Sequence, residues 1–397
     1  MGKIVLSLSL FLSVLSATFS NLKGGEHSSN DRKSINHDNQ NPKNKEHMKR
    51  ISQEELDKIV SRLERKKNVH GSVFYVSSKD ESMNLFSSTG NLNPDQPYYI
   101  ASINKLMISF IILRYINDGQ LQWDDSIWKF LPQEWADGLL VYKGKDYSSE
   151  LTIKHLISHT SGLPCYLIDK RPDGKKNMDL ILKAHENQSW PMDKVIGEVK
   201  LMNPKFIPGS VGKASYSETN FRLLGRIIEK IAQKPLDAVL QSLFEELDMR
   251  NTFVLNVKNA TQCAPVYHKP KEIEISAYWE SSKHDVASTA GDQMKFIKAF
   301  FTGGHFSDAF IEELKDWNNV FFPFKYGKGV QKFYMPRILS PFSPVPEIIG
   351  HCGSVGTIAF YVPERDLFIT GTVNQTANNQ LVFQTMMKII SRCKKSS

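Results

Sequence analysis

Several features that would assign a chain to a large class are scarce here. The four cysteines, Cys165, Cys263, Cys352 and Cys393, lie far apart and fit no zinc-ligand spacing. In an oxidising compartment they allow zero, one or two disulfides, with buried free thiols as the plainer reading. No apolar run reaches the ~20 residues of a membrane-spanning helix. Lysine and arginine exceed aspartate and glutamate by 50 to 42, but the basic residues do not interleave with aromatics. That pattern excludes a nucleic-acid footprint and leaves a solvated surface bias. There is no internal repeat and no metal or cofactor motif, so neither is expected.

What is present starts with Lys3, an apolar stretch from Ile4 to Leu15, and the small residues Ser16, Ala17 and Ser20 before Asn21. This is the layout of a signal peptide over residues 1–20, implying a secreted or periplasmic, cell-envelope location. A retained N-terminal anchor is the alternative. No cysteine follows the run, which argues against a bacterial lipoprotein anchor. Residues 21–50 are Asn, Lys, Ser, His and Asp with hardly an apolar side chain, a polar linker that cannot bury enough surface to order itself. The ordered domain is then 51–397, and 41% hydrophobic residues give it ample material for a core.

Ser52, with Glu55 three residues on, forms a capping box for a helix running to about Lys66. Residues 71–76 and 83–86 read as strands around a polar turn. From Ser102 to Asn117 nearly every residue is apolar and Gly119 follows, the pattern of a buried helix with its stop signal. A one-faced helix spans Asn220 to Gln233. Residues 357–362 and 367–373 form a hairpin, and a last helix covers about Asn379 to Arg392. Strands at both ends of a helical middle imply an α/β domain with a mostly helical lobe, about residues 119–280, inserted in it.

Three motifs carry chemistry. Ser102-Ile103-Asn104-Lys105 fits S-x-x-K, a pattern that also occurs at Ser20, Ser126, Ser210 and Ser391. Only Ser102 opens a buried helix, where a spacing of three puts both side chains on one face. The helix N-terminus favours an oxyanion there, and it pushes the lysine toward a neutral amine able to take the serine proton. Without that context the pair is a capping serine and a chance lysine. The second motif, Ala214 to Asn220, precedes an amphipathic helix and presents Tyr216, otherwise a packed aromatic. The third, His351 to Gly356, puts a glycine-rich strand edge at the final hairpin, where a substrate can approach the backbone. Lys325-Tyr326-Gly327 offers a competing K-x-G, weaker because it is not on that hairpin.

In this order Ser102-x-x-Lys105, Tyr216-Ser217-x-Thr219-Asn220 and His351-x-Gly353 resemble the motifs of the serine β-lactamase and penicillin-binding-protein superfamily. The similarity is to its class C β-lactamase-like branch, with D-alanyl-D-alanine carboxypeptidases, D-aminopeptidases and esterases. Residues 156–164 and 287–296 resemble connecting stretches of that branch, and the likeness spans roughly Glu54 to Lys388. The resemblance implies a β-lactamase/transpeptidase-like α/β fold, a mixed and mainly antiparallel sheet flanked by helices. It implies Ser102 as nucleophile, with Lys105 and Tyr216 moving its proton. Backbone N–H groups of Ser102 and Ser354 would form the oxyanion hole. His351, Gly353, Glu218 and Asn220 would border the substrate.

Two positions depart from the pattern. Glu218 stands where Asn is frequent and, facing the cleft, would repel a substrate carboxylate. Cys352 replaces a hydroxyl residue with a weak donor. Both changes count against efficient penicillin or D-Ala-D-Ala chemistry and are compatible with an ester, lactone or modified-peptide substrate, or with a site used differently. The expected function is an exported serine hydrolase that forms an acyl-enzyme on Ser102 and acts on a small-molecule or peptide amide or ester, a cell-wall peptide or β-lactam among them, with an esterase or peptidase ranked ahead of a penicillin-binding protein or β-lactamase. The alternative is a non-catalytic homologue that binds envelope peptides or acts as a scaffold.

Overall fold

The computed structural model describes residues 48–337 and 344–395. The expected signal peptide, 1–20, and nearly all of the expected linker, 21–50, lie outside the described residues.

An eight-stranded sheet forms the frame. Its strands are β1 (Gly71–Ser77), β2 (Asn84–Gly90), β3 (Asn318–Phe321), β4 (Phe324–Tyr326), β5 (Gln331–Phe333), β6 (Ile348–Gly353), β7 (Thr357–Val362) and β8 (Leu367–Thr372). The spatial order is β3-β4-β5-β6-β7-β8-β1-β2, so the C-terminal meander closes onto the N-terminal hairpin through β8 and β1. Every pair in this sheet is antiparallel. The expectation of a mixed, mainly antiparallel sheet therefore narrows. Among the described residues the one parallel contact is an isolated bridge from Tyr98 to Ala264.

Alternation along the strands divides the side chains between two cores. Phe74, Val76, Ile358, Phe360 and Ile369 point to one face and pack with Leu56 and Ile59 of helix α1 (Gln53–Val60) and with Val382, Met386 and Ile390 of the last helix. Val73, Ala359 and Phe368, one residue out of step, join the larger core on the other face. There lies helix α2 (Asn104–Asn117), buried from Asn104 to Leu113, as an all-round apolar sequence requires.

The capping box at Ser52 and Glu55 is present, but α1 ends at Val60 and a 3₁₀ turn, Ser61–Leu63, takes over. Ser102 also differs from expectation. It sits in a 3₁₀ turn, Ala101–Ile103, and the α-helix begins only at Asn104. All four cysteines are free.

Candidate active site

The turn that presents Ser102 is clamped on two sides. Tyr98 and Tyr99 pair with Ser288 and Ala287, and the Ile100 N–H donates to Val286 O at 3.0 Å. Ala101 then adopts φ 47°, a left-handed conformation uncommon outside glycine, and turns the chain so that Ser102 leads into α2. From the sheet, Thr357 Oγ1 donates to Ile100 O at 3.0 Å. A Cβ on Gly353 would fall 2.5 Å from the same oxygen, so only glycine lets the end of β6 lie this close to the serine turn.

Lys105 lies one turn along, with its Nζ 3.3 Å from Ser102 Oγ and its side chain 1% exposed. Sequence reasoning expected burial and the helix terminus alone to act on this amine. The structure adds an anion: Glu218 Oε2 is 2.6 Å away, and the site contains an ion pair rather than a lone amine. Glu218 is the first residue of helix α3 (Glu218–Ala232), where the free N–H groups favour a carboxylate. Its other oxygen lies 3.5 Å from His284 Nε2. Burial resists ionisation of Glu218, but the Lys105 charge and His284 outweigh it and hold the carboxyl far below the usual range. Glu218 lines the cleft, yet its charge is directed at Lys105 and not toward open space.

Burial, reinforced by the Glu218 charge, pushes the Tyr216 phenol well above its ordinary value, with a hydrogen bond to Ser102 opposing the shift. Tyr216 is therefore a neutral phenol at physiological pH. Its loop is built on the 156–164 stretch. Ser215 N–H donates to His159 O at 2.9 Å and Ser217 N–H to His159 Nδ1 at 3.2 Å. Ser217 Oγ and Thr219 Oγ1 both donate to Pro164 O, at 3.1 and 2.7 Å. Gly162 makes the bend possible: its φ is +78°, and a Cβ there would come 2.0 Å from Phe206 O. Asn220, expected beside the substrate, belongs to this scaffold instead. It accepts from Ser161 Oγ at 2.8 Å and contacts His159 Nδ1 at 3.2 Å, and it does not line the cleft.

The third motif closes the site. His351 donates from Nδ1 to Cys352 O at 2.8 Å, and burial, then the Lys105 charge, push its imidazole down to about 3, so it is neutral. The Cys352 thiol contacts Gln331 Oε1 at 3.1 Å, and burial pushes it up to about 12. Ser354 follows at the exposed tip of the β6–β7 turn, and both it and Gly353 line the cleft.

Sequence reasoning missed three neighbours. The His159 ring packs against the Tyr216 ring, tilted by 38°, with the centroids 4.5 Å apart. Tyr326, set aside with the competing K-x-G, is buried on β4 at 4.4 Å from His159 and 5.6 Å from His351. His284 braces Glu218. All belong to one cleft wall or its backing. The cleft itself measures about 1120 Å³ and contains Ser102, Lys105, Tyr216, Glu218 and residues 351–355 in its lining. Among the described residues no group of His, Cys, Asp or Glu is arranged to hold a metal ion.

The family model described as Beta-lactamase matches residues 56–390. The chain belongs to the Beta-lactamase family. The matched range contains all three motifs. D-alanyl-D-alanine-carboxypeptidase/endopeptidase AmpH of Escherichia coli (strain K12) is 25% identical over 240 residues, 56% of this chain and 56% of that protein. The chain thus spans about half the length of the curated relatives it matches. Among solved structures, D-amino acid amidase from Ochrobactrum anthropi SV3 superposes with a TM-score of 0.68 at 20% identity, covering 85% of this chain and 99% of that one. A D-stereospecific amidohydrolase from Streptomyces sp. gives 0.68 at 20% identity, over 84% and 98%. These likenesses establish the β-lactamase/transpeptidase α/β fold, a sheet flanked by helices.

Proposed function

We propose that this Beta-lactamase family protein is a serine hydrolase that forms an acyl-enzyme on Ser102 and cleaves an ester or amide. One observation carries the reading: Ser102 Oγ lies 3.3 Å from a buried lysine, in a cleft that Tyr216 also lines. Glu218 accepts a proton from Lys105, the freed amine takes the Ser102 proton as Oγ attacks the carbonyl carbon, and that proton departs through Tyr216 on the alkoxide or amine as its bond to the carbonyl breaks. Water then repeats the sequence on the acyl-enzyme. The N–H groups of Ser102 and Ser354 stabilise the oxyanion, and a donor of this kind typically contributes several kcal/mol. His351 and Gly353 border the acyl site. Neutral His351 offers no cation to a substrate carboxylate. The substrate is a small molecule or peptide, met outside the cytoplasm after removal of the 1–20 segment. The domain that does this is 51–397, with the helical lobe inserted.

The test is turnover of neutral ester and amide panels by the wild type, Ser102→Ala and Lys105→Ala, with circular dichroism to verify folding. Turnover should vanish in the serine variant and fall nearly as far in the lysine variant. Undiminished turnover in folded Ser102→Ala overturns the assignment.

A second reading has one observation in its favour. Lys105 is held by Glu218 at 2.6 Å, an arrangement suited to a static binding site in a non-catalytic envelope-peptide or scaffold protein. No turnover and no covalent label in the folded wild type would favour it.

A further inference from the structure

The cleft is larger than the ~300–1,000 Å³ of an ordinary ligand pocket, at about 1120 Å³. Its composition is uneven. Around Ser102 it is polar; beyond, Ile168, Met178 and Leu182 form one stretch of lining, and Phe321, Phe324 and Phe383 another. The aromatic stretch begins at the reaction centre, because the Phe321 ring meets the Tyr216 ring edge-on at 6.1 Å. It is firmly built: Phe324 packs on Phe383 at 5.5 Å, and Phe383 stacks on Phe333 at 5.6 Å. The aliphatic stretch is also tied down, since Met178 N–H donates to Leu167 O at 2.8 Å and Asn177 Nδ2 to Tyr166 O at 2.7 Å. Yet Ile168 and Phe321 stand 37% and 49% exposed, large apolar side chains facing a cleft that nothing in the described chain fills.

Charge points the same way. Among the described residues the basic and acidic side chains lining the cleft, besides the neutral His351, are Lys105, Glu218 and Asp285. Lys105 is paired with Glu218, and Asp285 accepts from Tyr99 Oη at 2.5 Å. A substrate carboxylate would meet no lysine free of a partner and more acidic side chains than basic ones. Nearby lysines turn elsewhere: Lys328 to Glu313 at 2.6 Å, Lys332 to Glu347 at 2.8 Å, and Lys325 onto the Tyr334 ring. The thiol of Cys352 is engaged by Gln331 and offers no hydroxyl donor.

We propose that the cleft selects uncharged esters or amides whose acyl part is an extended apolar chain, seated between the Ile168–Leu182 and Phe321–Phe383 linings. This inference rests on the serine hydrolase reading and names its substrate class. The acyl carbonyl sits at Ser102, the chain runs outward along the apolar lining, and water displaced from both surfaces drives binding.

The experiment is a series of p-nitrophenyl esters from acetate to octanoate. Each is compared with a matched ester whose acyl chain ends in a carboxylate, and active protein is counted by fluorophosphonate labelling of Ser102. In the wild type kcat/KM rises by roughly fourfold per methylene, the fold-change equivalent to ~0.8 kcal/mol per buried CH₂. The carboxylate-terminated esters fall at least tenfold below their neutral partners. Phe321→Asp, at an exposed position, flattens the chain-length slope. Ile168→Lys raises the relative rate on carboxylate-terminated esters by supplying the missing cation. A flat chain-length profile, or a preference for the carboxylate esters, in wild-type protein that labels at Ser102 overturns this inference and leaves the hydrolase reading standing. Failure to label or turn over any ester overturns the hydrolase reading itself.

Discussion

Replacing Glu218 by Gln keeps the shape of the side chain and removes its charge, which isolates the electrostatics of the Lys105 pair. Lys105 is 1% exposed and Glu218 8%, so the pair sits out of water and its partners are fixed. Removing one member of a buried pair leaves the other uncompensated and typically costs about 3–5 kcal/mol. For a domain stable by ~5–15 kcal/mol this is about a fifth or more of the total. Removing both members in Lys105→Met/Glu218→Gln leaves no orphaned charge, and such replacements are typically neutral or stabilising. The double-mutant cycle should therefore give a coupling of about 2 kcal/mol or more. Urea unfolding of the wild type, both single variants and the double variant, followed by circular dichroism, supplies the four free energies. A Glu218→Gln variant within ~0.5 kcal/mol of wild type, with additive effects, would refute the argument, because surface-like pairs behave that way.

Other outcomes follow from the same geometry. Tyr216→Phe removes one acid–base partner from beside Ser102 and should slow ester turnover by about 10²- to 10⁴-fold in a protein of unchanged circular dichroism; an unaltered rate would remove Tyr216 from the proton path. His351 is held near 3, below the ~6.5 of an unfolded histidine, so its contribution to stability is complete above that pH and lost as pH falls toward 3. Burial lowers buried His159 in the same direction, with Lys105 and His351 adding to the shift and Glu218 opposing it. Unfolding free energy should thus drop by on the order of 1–3 kcal/mol per unit between pH ~6.5 and ~5, with a shallower slope in His351→Gln; a flat profile contradicts it. For the leader, the mature chain recovered from an exporting host should start near Asn21, and material beginning at Met1 would overturn cleavage.

Much of the fold was readable because each element states its own pattern. Residues 357–362 are a short run rich in apolar and aromatic side chains before a turn and form β7, and the run after Asn104 is apolar on all sides and forms the buried α2. Choosing Ser102 among five S-x-x-K matches needed only that helix. The left-handed Ala101 was not readable, since alanine carries no signal for φ 47° and the clamp comes from Val286 and Thr357, far along the chain. The Lys105–Glu218 pair spans two helices 113 residues apart in sequence, and no spacing rule reaches that distance. Asn220 was expected at the substrate because it closes the motif that begins at Tyr216, but it lies inside α3 and turns onto His159 and Ser161. The apolar lining escaped notice because residues 177–182 and 321–324 contribute a few side chains each, without periodicity of their own.

The central claim is that Ser102 is the residue acylated. Intact-mass spectrometry of the folded protein after exposure to a fluorophosphonate, with the modified peptide mapped, measures it directly. The expected result is a single adduct on Ser102, absent from Ser102→Ala and slowed in Lys105→Ala. An adduct on another residue, or full-rate labelling of folded Ser102→Ala, would contradict it.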